Sequence, residues 1–106
     1  MPYISQNNRN RLDPRIAKLA EEINAVAKET GDEKTFAGLL NYACTKLALQ
    51  TIPEKRYWAI ALISGVFKNI GEEFYRRFAA PYEDEQIKKN GDVYPSADDT
   101  EKTRGK

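Results

Sequence analysis

The sequence predicts an all-α protein, a small helical bundle of three main helices plus a short fourth. Two observations lead there. Apolar residues recur at three- and four-residue spacing over long stretches, and proline and glycine punctuate the chain where those stripes stop. At 106 residues and 12.1 kDa the chain fits one domain, since two separate cores would each be too small to offset their own conformational entropy. One compact core is therefore the expectation.

The first element is an arm. Residues 1–11 are polar, rich in Asn and Arg and without periodicity, so they read as an extended segment that clips onto the body through Tyr3 and Ile4. A helical domain follows over residues 12–94. Helix one starts at Asp13-Pro14, where a carboxylate can accept from free backbone N–H groups and proline at the first helical position gives up a donor that had no partner. Its stripe is Ile16, Leu19, Ala20, Ile23, Val26 and Ala27, and Thr30-Gly31 ends it in a left-handed cap. Asp32 or Thr35 caps helix two, whose stripe is Phe36, Leu39, Leu40, Ala43 and Leu47, and Pro53 breaks it.

Helix three runs from about Glu54 to Ala80, with Ala59, Leu62, Ile63, Val66, Phe67, Ile70, Phe74 and Phe78 along one face. It would span roughly 40 Å against roughly 25 Å for each of the first two, and Tyr57, Trp58, Ile60 and Ala61 widen its apolar surface. The fourth helix or a second subunit must cover the excess, which predicts a homo-oligomer. Gly65 and Gly71 lie inside this helix and mark either a close helix approach or a bend. Pro81 is expected to end it. The order of acidic Glu83-Asp84-Glu85 before Lys88-Lys89, with Asn90-Gly91 as the stop, fits a fourth helix of about two turns. From Pro95 to Lys106 the composition predicts a flexible tail.

Several function classes fall away. The chain has no histidine, which removes the usual general base near neutral pH, the Ser-His and Cys-His pairs and most zinc and iron sites. No phosphate-binding glycine loop is present, and the carboxylates Glu72-Glu73 and Glu83-Asp84-Glu85 lack the matched units on other helices that a metal-binding bundle uses. The sequence thus predicts a non-enzyme with no catalytic residue, no metal site and no cofactor. Seventeen basic against sixteen acidic residues, balanced in both halves of the chain, argue against duplex nucleic acid as a partner. No apolar run is long enough for a membrane span, the N-terminus does not look like a signal peptide, and the one cysteine, Cys44, cannot form an internal disulfide. These features predict a cytoplasmic protein without membrane contact.

The residues that stand out are at the C-terminal end: Glu73-Phe74-Tyr75-Arg76-Arg77, Ala80-Pro81-Tyr82-Glu83-Asp84 and Asn90-Gly91-Asp92-Val93-Tyr94. Arginine binds phosphate through a planar fork, tyrosine offers a stacking face, and aspartate can accept from sugar hydroxyls. Tyr75, Arg76, Arg77, Tyr82 and Asp92 are the candidate binding residues for a small nucleotide-like ligand. Core packing of Tyr75, pairing of the arginines with Glu72, Glu73 or Glu83, and a capping role for Asn90-Gly91 are the structural alternatives.

With Met1-Pro2-Tyr3-Ile4, Arg11-Leu12-Asp13-Pro14 and Asn41-Tyr42, this C-terminal pattern resembles a family of short uncharacterised proteins of bacteriophage and bacterial genomes, over roughly residues 1–94. The resemblance implies a helical protein, often viral, and no reaction. In a phage setting the chemistry is similar to that of sponges that trap host nucleotide-derived immune signals between subunits, and such a protein is the expected function. The alternative is a helical adaptor or inhibitor that docks a host protein through helix three.

Overall fold

The computed structural model describes residues 2–95, and among these the backbone is all-α, with no strand. The elements are α1 (Gln6–Thr30), α2 (Thr35–Thr51), α3 (Tyr57–Phe74), a π-helical segment (Tyr75–Ala79) and α4 (Ala80–Asn90). The tail expected over residues 95–106 lies, beyond Pro95, outside the described residues.

α1 begins seven residues before Asp13, so most of the expected arm is helix. The cap is Ser5, with extended backbone and a side-chain oxygen that accepts from the Asn8 N–H at 3.3 Å. Arg9 Nε donates to the Ile4 carbonyl at 2.9 Å and ties the entering chain to the first turn. This capping outweighs the weak helix propensity of an Asn-rich stretch. Pro14 therefore stands in the helix interior rather than at its first position, where it supplies no N–H to the preceding turn. The other end follows expectation: Gly31 has φ 75° and its N–H reaches the Lys28 carbonyl at 3.2 Å.

The connection to α2 is held by Asp32, whose Oδ1 accepts from the Lys34 N–H at 3.0 Å, and by a 3.0 Å hydrogen bond between the Thr30 and Thr35 hydroxyls. Helix two itself is capped by Lys34 without a side-chain bond, so Asp32 shapes the turn rather than the helix end. α2 stops at Ile52, directly before Pro53. In the next turn Trp58 Nε1 donates to Glu54 Oε1 at 3.1 Å.

α3 is shorter than expected and α1, with 25 residues against 18, is the longest single α-helix. Pro81 does not end the helical run. Helical backbone continues from Tyr57 to Asn90, and the five residues before Ala80 widen into a π-turn in which the Ala80 N–H bonds the Tyr75 carbonyl. A proline in a regular α-helix lacks the N–H that the carbonyl four residues back expects, and its ring collides with that carbonyl. Shifting to bonds of longer span one turn earlier removes the conflict without breaking the helix.

Contacts divide the chain into two units, residues 1–68 and 69–106. In the first, α1 and α2 pack on each other, and Ile23, Val26, Ala27, Leu39, Ala43 and Cys44 are half-buried. Only Ala59, at 2% exposure, is buried among the described residues. The expected single core is not enclosed by one chain. Among the described residues nothing lies within 4 Å of where a Cβ would sit on Gly65 or Gly71, so neither marks a close approach there, and the helical distortion lies at Tyr75–Ala79 instead.

Candidate ligand-binding segment

All five candidate residues belong to the second unit and to one stretch of helix and its exit. Tyr75, Arg76 and Arg77 open the π segment, Tyr82 lies in the first turn of α4, and Asp92 follows the α4 stop at Gly91. The π segment gives this turn a wider spacing than an α-helix, so the two arginines and Tyr75 are displayed differently from residues on a regular helix face. Phe74, just before the segment, and Phe78, within it, have their rings stacked with centroids 5.0 Å apart and planes at 23°.

The two arginines differ. Arg76 pairs with Glu73, one turn back, where Nη2 donates to Oε2 at 2.8 Å and also reaches Oε1. Arg77 makes no ion pair among the described residues. Tyr75 is exposed, and the nearby Glu83 carboxylate, first as an acceptor for the neutral phenol and then as a negative charge, raises its pKa above the ordinary value of 10.0, with Asp84 adding more weakly. Glu83, itself in the first turn of α4, thus acts electrostatically on a tyrosine, and it forms no ion pair with an arginine among the described residues. Tyr82 is exposed. Asp92 Oδ1 accepts from the Tyr94 N–H at 2.9 Å and closes a small turn after the helix. Asn90 Nδ2 donates to Gln86 Oε1 at 3.3 Å, while Gly91, with φ 91°, takes a backbone that other residues rarely adopt.

The structure brings Tyr75 together with Glu83 and Arg76 together with Glu73, and it leaves Arg77 and Tyr82 facing solvent. Open concavities lie elsewhere, along α1. One is lined by Ile4, Asn8, Arg11, Leu12 and Arg15 and another by Pro14, Arg15, Lys18, Leu19 and Glu22. Sequence reading did not single out these α1 cations; the signal was their i, i+4, i+7 spacing at 11, 15 and 18. No group of three or more Cys, Asp or Glu suited to a metal ion occurs among the described residues, and no described helix is long and apolar enough to cross a membrane.

Fold and segment together define a chain that is all-α among the described residues, with an exposed arginine–tyrosine turn inside its last helical run. The chain belongs to the family described as Domain of unknown function (DUF6899), whose model matches residues 1–93 and so takes in both the N-terminal motif and the whole candidate segment. No curated protein and no solved structure matches it.

Proposed function

We propose that the protein is a non-enzymatic binding protein that sequesters a small phosphate-bearing, nucleotide-like ligand through residues 75–92. The observation that carries this reading is the exposed Arg77, which makes no ion pair among the described residues, beside Tyr75 and Arg76 in a π-turn, with Tyr82 exposed in the turn that follows. A guanidinium fork bonds a phosphate in two places, and tyrosine rings supply sequence-tolerant stacking for a base. The nearby Glu83 keeps the Tyr75 phenol protonated, so the ring it offers to a base is neutral. Asp92 supplies a carboxylate for sugar hydroxyls at the exit of α4.

The resemblance to phage and bacterial proteins gives this chemistry a setting: a cytoplasmic protein, in the host cytoplasm when phage-encoded, that withdraws a nucleotide-derived immune signal. The test is thermal unfolding of the purified protein against a panel of linear and cyclic nucleotides, with Arg77→Ala as the control. A ligand at about 100 times its Kd adds roughly 2.7 kcal/mol of stability, which the variant loses. An unchanged melting temperature across the whole panel overturns the reading.

A second reading, a protein–protein adaptor or inhibitor docking through α3, is favoured by the exposure of Tyr57, Trp58 and Leu62 on that helix. It requires a stable monomer that acquires defined stoichiometry only with another protein.

A further inference from the structure

From Tyr57 to Phe67 the sequence YWAIALISGVF contains no charged residue, and in α2 only Lys46 is charged. A surface helix has a polar face; one that is apolar all round belongs inside something. In α3 the exposed apolar residues do not form a single stripe. Trp58 and Phe67, nine positions apart, point about 180° away from each other at about 100° per residue, yet they are 50% and 43% exposed. Leu62, between them in sequence, is 63% exposed. The segment is therefore open on opposite sides, and it is too short to cross a bilayer, which needs about 20 residues.

We propose that this segment of α3 is the central packing surface of a homo-oligomer and that other copies of the chain, α3 against α3, cover it. Three arguments select a second copy as the occupant. Among the described residues of the first unit only Ala59 is buried, so the chain needs its partner whenever it is folded, and the one partner always made with it is another copy. A two-fold interface sets a patch against itself, which brings like charges together unless the patch is uncharged, as this one is. Selection of a different protein relies on charge complementarity, for which Tyr57–Phe67 offers no group. The apolar area is substantial: six large side chains on α3 as far as Phe67 are exposed, and at roughly 80 Å² each they offer about 480 Å² per chain, more than half of the roughly 800 Å² per partner in a standard stable interface.

The experiment uses the full chain without ligand. Light scattering after gel filtration gives a mass at a whole multiple of 12.1 kDa, and the melting temperature rises with protein concentration. Trp58, the single tryptophan, reports the same equilibrium: its emission is blue-shifted in the assembly and moves to the red on dilution. Leu62→Asp moves the mass to that of one chain. An aspartate there also unfolds a chain that depends on its partner, so the wild-type concentration series decides. A mass of one chain with a concentration-independent melting temperature overturns the proposal, as does defined stoichiometry reached only with another protein. Neither readout involves a nucleotide, so a failed ligand panel leaves this inference standing, and a monomer leaves ligand binding untouched.

Discussion

At the scale of single residues, the Glu83 carboxylate near Tyr75 gives the segment a pH signature. As an acceptor for the neutral phenol and as a charge that opposes its ionisation, it raises the Tyr75 pKa above 10.0. The folded value lies above the unfolded one. The contribution of this pairing is therefore complete below pH 10 and is lost as pH climbs through the folded value. Titration of selectively labelled tyrosine rings by NMR should show the Tyr75 midpoint fall in Glu83→Gln, since a neutral amide removes the charge while keeping an acceptor. A midpoint unmoved by that change would mean that Glu83 is not what raises it. Arg76 and Arg77 look alike in sequence, yet only Arg76 meets Glu73, three residues earlier, in an ion pair whose carboxylate is mostly covered. The difference comes from position around a π-turn, which a 3.6-residue period does not represent.

At the scale of elements, Pro81 is the cause assigned to the widened turn, and removing it tests that cause. Pro81→Ala restores an N–H and frees the Arg77 carbonyl from the ring, so Tyr75–Ala79 should relax to regular α-helix with a gain of up to about 3 kcal/mol. Backbone carbon shifts and amide exchange over residues 75–81 read this out, and a π-turn that persists in the variant would assign its origin to side chains such as the Phe74–Phe78 stack. If the turn displays Arg77 to a ligand, the more stable variant binds it less well. The helix class, the Gly31 stop, the α2 break and the Asn90-Gly91 end were all legible in the sequence, because glycine and proline act on the backbone next to them. Two prolines misled for a related reason. Asp13-Pro14 is a strong start signal, but the chain already had a cap at Ser5 and an Arg9 tether to Ile4; Pro81 is a strong stop signal, but a π-turn absorbs it. Local signals state a preference, and neighbouring bonds decide whether it prevails.

For the chain as a whole, the two proposals rest on opposite chemistry, and salt separates them. The α3 segment proposed to meet its copy is uncharged, so its association is governed by apolar burial, while ligand capture through Arg77 is governed by charge. Raising sodium chloride from about 0.05 M to about 0.5 M shortens the screening length from roughly 14 Å to roughly 4 Å. Exposed charge–charge attraction weakens over that range, whereas an apolar interface is left intact, and sulfate, which is excluded from protein surface, strengthens it. The mass of the assembly should therefore hold across the chloride series and its melting temperature should rise in sulfate, while the nucleotide-induced shift shrinks with chloride. An assembly that dissociates as chloride rises would point to contacts through the α1 cations Arg11, Arg15 and Lys18 in place of Tyr57–Phe67. A shift indifferent to chloride would remove Arg77 from the phosphate contact and leave stacking on Tyr75 and Tyr82 as the source of binding.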